Sequence, residues 1–196
     1  MGICNSLQTK ELTCIPGLVF LKYKEVYKCI KKIQENTMKG DKAVISALND
    51  VLMAELTAIN IYYIHYKMQV DWGYDKLAAH AREESMGEMK HADLMIDRTL
   101  FLDGVPNMQK YDTVLVGNTV EAQLKNQYKI EIAHVTRLRK HIKTCLDKND
   151  YGTKEILEGI LDDTEESVDW LETQFNRIKD IGIQNYLSEN MSKDDN

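Results

Sequence analysis

The sequence predicts an all-α fold, a bundle of four long helices followed by a short fifth helix. Three observations support this prediction. Apolar residues recur with the period of an α-helix from Asp41 onward. The 196 residues include only 2 prolines, so long helices are not interrupted. Hydrophobic residues make up 43% of the chain and charged residues 29%, a mixture that builds a core and still coats a soluble surface.

The first 37 residues differ from the rest and are predicted to be a leader outside the fold. They carry six lysines against three glutamates, although the whole chain has a net charge of -6. Met1-Gly2 opens a short pattern found in myristoylated proteins, and a signal peptide fits poorly. A start codon assigned too far upstream, with Met38 as the natural start, is the alternative. We expect the bundle to occupy 38–190, followed by a tail over 191–196.

Charge and cysteine content exclude several classes of protein. The acidic balance argues against a nucleic-acid partner. No apolar run approaches the ~20 residues of a membrane span, so no membrane partner is expected. The four cysteines form no CxxC pair, which argues against a disulfide framework or a zinc site. Reduced thiols predict a cytoplasmic location.

The first two helices are separated by a short turn. The first is predicted over about 41–70, where Trp72-Gly73 ends it. The second is predicted over about 75–102, and the glycine and proline that follow stop it. The stretch 104–118 has no helical period and is long for a loop. We therefore expect it to cross the length of the bundle.

Two further helices complete the bundle. The third is predicted to run to about Asp147, capped by Asn118 or Thr119. The fourth is predicted to follow a turn, with Thr153 as its cap. A short fifth helix is expected over 183–189. Two short connections and one long crossover give the ferritin-like arrangement of four helices.

Acidic residues occupy the inward faces of the predicted helices, where they are rarely found unless paired or bound to metal. Glu55 lies on the first helix, Glu88 and His91 on the second, and Glu131 on the third. Glu88 and His91 stand three residues apart, so both can reach one ion. Divalent iron accepts this set of oxygen and nitrogen donors. The alternatives are a surface position for Glu55 and a hydrogen-bonded core histidine for His91.

Five segments make the chain resemble bacterioferritin from Met38 to about Tyr186. They are Met38-Lys39-Gly40-Asp41, Glu55-Leu56-Thr57-Ala58-Ile59-Asn60, Glu88-Met89-Lys90-His91-Ala92-Asp93, Leu100-Phe101-Leu102-Asp103-Gly104-Val105-Pro106-Asn107 and Asp169-Trp170-Leu171-Glu172-Thr173. The resemblance implies a hollow shell of twenty-four subunits with haem b at twofold interfaces. It also implies a di-iron site that oxidises Fe(II) with oxygen or peroxide and feeds a ferric mineral.

The resemblance also implies roles for individual residues. Glu55, Glu88, His91 and Glu131 fall on iron-ligand positions, and the bridging role goes to Glu88. Met89 falls on the position of the haem axial ligand. One residue after Glu88 is about 100° round the helix, so Met89 points away from the core and toward a neighbouring subunit. The alternative is a methionine that packs at a dimer interface.

The fourth helix departs from the family pattern. The family carries a second Glu-x-x-His pair there, and the aligned positions hold Thr164 and Ser167, which are inadequate iron ligands. Asp163 and Glu166 are also three apart, but they are one position out of phase, about 100° of rotation. We therefore do not expect them to substitute for the missing pair.

The sequence leaves several functions open. The preferred one is an iron-storage subunit that binds iron and haem, has an impaired ferroxidase site, and co-assembles with a second subunit type. An active ferroxidase is the main alternative. A rubrerythrin-like oxidase is disfavoured because it needs both Glu-x-x-His pairs, and a bundle without metal is the remaining alternative. A ferredoxin is a candidate electron donor.

Overall fold

The computed structural model describes residues 39–191, and this part of the chain is an all-α bundle. It contains no strand in that range. The predicted fold class is therefore confirmed, whereas the predicted leader and the tail beyond Met191 lie outside the described residues. The helices in chain order are α1 (Lys42–Asp71), α2 (Asp75–Phe101), α3 (Val120–Asp147), α4 (Tyr151–Ile181) and α5 (Ile183–Glu189).

Three of the four long helices begin at polar caps, whereas α2 follows Tyr74 without a side-chain cap. The Asp41 carboxylate accepts a hydrogen bond from the Ala43 backbone N–H at 2.7 Å, and it caps α1. Thr119 caps α3 as predicted, since its hydroxyl accepts from the N–H of Ala122 at 3.2 Å. Both side chains satisfy backbone donors that lack a partner inside the helix.

The start of α4 differs from the prediction. Its cap is Asp150, not Thr153, and the predicted turn is already its first turn. The reason is a contact with a distant helix. Arg98 of α2 donates from Nη2 to Asp150 Oδ1 at 2.7 Å and from Nε to the Thr153 hydroxyl at 2.9 Å. Gly152 leaves room for this guanidinium, because a Cβ there would lie 2.9 Å from Nη2.

α1 is the most apolar of the four long helices. It packs against α2 along its length and also against α3, while α4 packs on α3. By length and composition α1 is apolar enough to cross a membrane. However, 61% of its apolar 18-residue stretch is buried inside the bundle. The largest fully buried aliphatic side chains come from all four long helices: Leu48, Leu52, Ile61, Met95, Leu124, Leu138, Leu157, Ile160 and Leu171.

The segment between α2 and α3 crosses the bundle as predicted. It lies along α1 and is fixed by hydrogen bonds to three α1 side chains, at positions spread over about 24 Å of helix. These bonds join Asn107 N to Asn49 Oδ1 (2.6 Å), Asp112 N to Thr57 Oγ1 (2.8 Å), and Leu115 O to His65 Nε2 (3.1 Å). The crossover thereby covers the α1–α3 side of the bundle centre.

The Arg98–Asp150 contact yields a stability prediction. Asp150→Ala removes both the α4 cap and the partner of a mostly buried guanidinium, so we expect a loss of roughly 2–3 kcal/mol in the free energy of unfolding. Chemical denaturation of the purified subunit measures it. Asp147→Ala is the matched control, because its ion pair with Lys143 is exposed, and we expect a change below about 0.5 kcal/mol. Equal losses in the two variants would contradict the prediction.

Candidate metal centre

The four predicted site residues on α1, α2 and α3 lie in one buried layer. The ligand atoms of Glu55, Glu88 and His91 lie within 4.8 Å of one another. His91 Nδ1 is 3.1 Å from Glu88 Oε2 and 3.7 Å from Glu55 Oε2. Glu55 is fully buried, and its Oε2 has no hydrogen-bond partner within residues 39–191. This arrangement leaves a buried carboxylate oxygen available to a cation.

Glu131 lies in the same layer on α3 and has a different set of neighbours. It is 2% exposed, and its Oε1 accepts a hydrogen bond of 2.6 Å from the buried hydroxyl of Tyr62. Glu131 does not belong to the close group of Glu55, Glu88 and His91. Tyr62 therefore orients Glu131 from α1, on the opposite side of the bundle centre from α4.

A second histidine, which the sequence analysis missed, reaches the same layer. His134 is 6% exposed, and its Nε2 lies 3.0 Å from Glu55 Oε1. Its Nδ1 is buried and has no hydrogen-bond partner. A signal for it was present, because Glu131-Ile132-Ala133-His134 repeats the Glu-x-x-His spacing of Glu88 and His91. Residues three apart share a helix face, so His134 follows Glu131 into the core.

The fourth helix contributes hydroxyl groups whose hydrogen bonds are directed elsewhere. Thr164 is buried, and its hydroxyl donates to the Ile160 carbonyl in its own helix at 2.7 Å. Ser167 donates to Glu84 Oε2 at 2.8 Å. Neither hydroxyl has a hydrogen bond to the carboxylates of the buried layer. The two positions on α4 therefore present neither a carboxylate nor an imidazole to this layer.

Asp163 takes a supporting position at the edge of the centre. Its Oδ2 lies 3.1 Å from Nε2 of His91, and its side chain is 66% exposed. Because His91 Nδ1 faces the carboxylates, this contact holds the ring by its other nitrogen. Carboxylates commonly orient metal-binding histidines in this way. Asp163 thus contacts the outer side of His91, and Glu166 remains at the surface beside it.

Two cavities reach the buried layer from opposite sides. One, of about 350 Å³, lies between α2 and α4, where the short side chains of Thr164 and Ser167 leave space. The other, of about 450 Å³, lies between α1, α3 and the crossover, and Glu55, Glu131 and His134 line it. Glu88 lines both cavities. The centre is therefore reachable by small cations from either side.

Buried charges change the acidity of the two central carboxyl groups in opposite directions. Burial raises the pKa of Glu55, but the adjacent His134 and His91 lower it by a larger amount. The net pKa lies below its ordinary value, so the Glu55 carboxyl stays ionised. Burial and the negative charge of Glu55 raise the pKa of Glu88 well above its ordinary value. Without a cation, Glu88 therefore tends to hold a proton.

The pKa values of the other two predicted ligands, His91 and Glu131, are raised as well. Burial lowers the pKa of His91, yet the Glu55 and Glu88 carboxylates beside its ring outweigh this and raise it to about 11. Burial raises the pKa of Glu131 to about 7, although the hydrogen bond from Tyr62 acts in the other direction. A metal ion must displace such protons in order to bind.

The donor set fits a divalent transition-metal ion. Carboxylate oxygens and neutral imidazole nitrogens are suitable donors for iron, and no soft thiolate belongs to this layer. The unpartnered oxygen of Glu55 and the unpartnered nitrogen of His134 are buried polar atoms of the kind that a bound ion satisfies. The arrangement therefore supports cation binding inside the bundle.

Met89 lies outside this centre, on the solvent-facing side of α2. Its side chain is 43% exposed, and Met86, one turn earlier, is 52% exposed. This agrees with the expectation that Met89 points away from the core. The Met89 thioether is therefore accessible at the surface of the subunit.

Comparison with known proteins identifies the class. Residues 45–181 match the ferritin-like domain family. This range covers the four long helices apart from the first three residues of α1, and it includes every residue of the centre. The chain is 42% identical over 156 residues to "Bacterioferritin" of Mycobacterium bovis, covering 80% of this chain and 98% of the relative. It is 43% identical over 151 residues to "Bacterioferritin" of Streptomyces coelicolor, covering 77% and 90%, and 39% identical over 153 residues to that of Brucella melitensis, covering 76% and 92%.

The fold and the buried carboxylates thus define a ferritin-like protein. Within that class, the chain belongs to the bacterioferritin family. Membership of this family supports iron storage, iron binding and self-association into an oligomeric shell. The sequence-based assignment of the family is confirmed.

The raised pKa of Glu131 predicts how cation binding depends on pH. A carboxyl group with a pKa of about 7 is mostly protonated at pH 6 and mostly ionised at pH 8. Only the ionised form is a ligand, so we expect the affinity for Co²⁺ to be at least tenfold lower at pH 6 than at pH 8. Calorimetric titration of metal-free protein measures this. Glu131→Gln should show a smaller pH dependence, and an affinity independent of pH would contradict the prediction.

Proposed function

We propose that this chain is a haem-binding iron-storage subunit of the bacterioferritin shell with an impaired ferroxidase site. The observation that carries the proposal is the composition of the buried layer. Three helices contribute carboxylates and imidazoles to it, whereas α4 contributes Thr164 and Ser167. Iron is the stored substrate here, and Glu55, Glu88, His91 and Glu131 are its proposed ligands.

Impairment follows from what Fe(II) oxidation requires. Paired oxidation needs two ions held close together by ligands that stay in place when their charge rises. One position keeps Glu55, Glu88 and His91, supported from outside by Asp163. On the α4 side, a cavity of about 350 Å³ replaces the expected ligands. We therefore expect the protein's own residues to bind iron and to oxidise it slowly.

An oxidation assay tests this part of the proposal. Stopped-flow absorbance of the purified assembly mixed with Fe(II) and oxygen should show slow oxidation without a rapid phase. Thr164→Glu combined with Ser167→His supplies the missing donors, so we expect an increase of more than about tenfold. A rapid stoichiometric phase in the unaltered protein would instead favour the alternative, an active ferroxidase.

The matched control places the same residue pair outside the centre. Thr136→Glu combined with Arg139→His creates the same spacing on the exposed side of α3. We expect no change in oxidation rate, because these side chains do not reach the buried layer. An equal increase in both double variants would show that added surface ligands, and not the completed centre, determine the rate.

We infer further that Met89 holds haem b at a twofold interface. The support is the exposed thioether on α2, in a family segment that continues directly from Glu88. Two copies of Met89, one from each subunit, would supply both axial ligands. Haem bound there provides a route for electrons, and a ferredoxin is the class of donor we propose. We also propose that the protein is located in the cytoplasm.

The haem assignment has a simple spectroscopic test. Met89→Leu preserves the size of an apolar side chain and removes the sulfur ligand, so we expect loss of the haem absorption from protein produced with iron and haem precursor. Met86→Leu is the matched control, since it lies one turn away with similar exposure. Haem retained in Met89→Leu at the level of the control would refute the assignment.

We propose a shell of twenty-four subunits in which this chain co-assembles with a second bacterioferritin subunit type. The incomplete α4 side supports this, because a partner with a complete site would supply rapid oxidation. Co-production of the two chains followed by native mass spectrometry distinguishes mixed shells from shells of one chain.

A further inference from the structure

We propose that Glu131 and His134 form a second metal-binding pair, which holds a second divalent ion between α1 and α3. This inference rests on the proposed function, because it concerns the same buried layer. It assigns a ligand, His134, on a helix that otherwise supplies a single carboxylate. The second pair is thereby present on α3 instead of α4.

The geometry of His134 carries the first step. Its imidazole is 94% buried, which is unfavourable for a polar ring with an unsatisfied nitrogen. Nε2 contacts Glu55 Oε1 at 3.0 Å, and Nδ1 has no partner among residues 39–191. In the same range Glu55 Oε2 is likewise unpartnered, and it is fully buried. Both are buried polar atoms that a bound cation can satisfy.

The spacing of the pair carries the second step. Glu88 and His91 stand three residues apart on α2, and Glu131 and His134 stand three apart on α3. Each pair points into the bundle from one helix, with the carboxylate and imidazole one turn apart. α1 packs against both α2 and α3, whereas α2 and α3 make little contact with each other. The two helices therefore face each other across the core. Two Glu-x-x-His pairs therefore meet Glu55 from opposite sides.

The cavity between α1, α3 and the crossover provides the space. Its volume is about 450 Å³, and Glu55, Glu88, Glu131 and His134 line it together. In the proposed site, Glu131 and His134 are the ligands that bind only the second ion. The Glu55 and Glu88 carboxylates adjoin the positions of both the first and the second ion. This second position does not use α4, so the number of ions that it adds does not depend on Thr164 and Ser167.

The alternative role for His134 is that of a positioning residue that only donates a hydrogen bond to Glu55. A glutamine separates the two roles. Its amide N–H can donate to Glu55, but it is a poor ligand for a transition-metal ion compared with imidazole. His134→Gln therefore preserves positioning and removes metal binding.

The experiment uses the full chain in its assembled, metal-free form. Co²⁺ binding is followed by equilibrium dialysis and by its visible d–d absorption, in excess Mg²⁺ to occupy exposed carboxylates. We expect two Co²⁺ per subunit in the unaltered protein, and one in both His134→Gln and Glu131→Gln. Helical content and assembly mass must be unchanged in the variants.

His141→Gln is the matched control. His141 is also a buried histidine of α3 with one carboxylate partner, Asp50 at 2.7 Å, and an unpartnered Nδ1. It lies two turns beyond His134 and does not line the cavity. We expect this variant to bind two Co²⁺, which shows that the loss in His134→Gln is specific to the centre.

The outcomes separate this inference from the function on which it rests. Two ions bound by His134→Gln would overturn the inference, since His134 would then act by positioning alone. One ion in the unaltered protein, lost in His91→Gln but unaffected by His134→Gln, would overturn it and leave the storage function intact. No Co²⁺ bound inside the unaltered protein would contradict the metal centre itself.

Discussion

The burial of three carboxylates in one layer of the bundle is the constraint on which the rest of the centre depends. Glu55, Glu88 and Glu131 lie at most 7% exposed, where an uncompensated negative charge is strongly unfavourable. Each carboxylate has its own neighbouring groups that reduce this unfavourable free energy. His134 and His91 face Glu55, a proton remains on Glu88, and Tyr62 donates to Glu131. Each of these compensations can be replaced, because a bound metal ion would displace protons and supply positive charge beside the carboxylates.

The sequence predicted the scaffold well because its determinants are local. Helical periodicity gave four long helices to within a residue or two at most ends, and the absence of period over 104–118 gave the crossover. The exception, the start of α4, depends on Arg98 from α2, and no local pattern encodes that contact. Thr153 has the chemistry of a cap, but its hydroxyl accepts from Arg98 instead.

The centre was predictable in proportion to how anomalous each residue looks on an apolar face. A glutamate there demands an explanation, so Glu55, Glu88 and Glu131 were found from pattern alone. A histidine is compatible with a core, a surface or a ligand position. His134 was therefore missed, although its spacing from Glu131 was a signal. The contact of Asp163 with the far side of His91 depends on side-chain conformation, which residue phase on a helix does not determine.

Glu88 has a further consequence that follows from its place between the two cavities. It is the side chain at which the space beside α4 and the space beneath the crossover meet. The two cavities therefore approach each other at one carboxylate, whose side chain has only a few rotatable bonds. An ion that moved between them would pass beside a side chain that is also one of its candidate ligands.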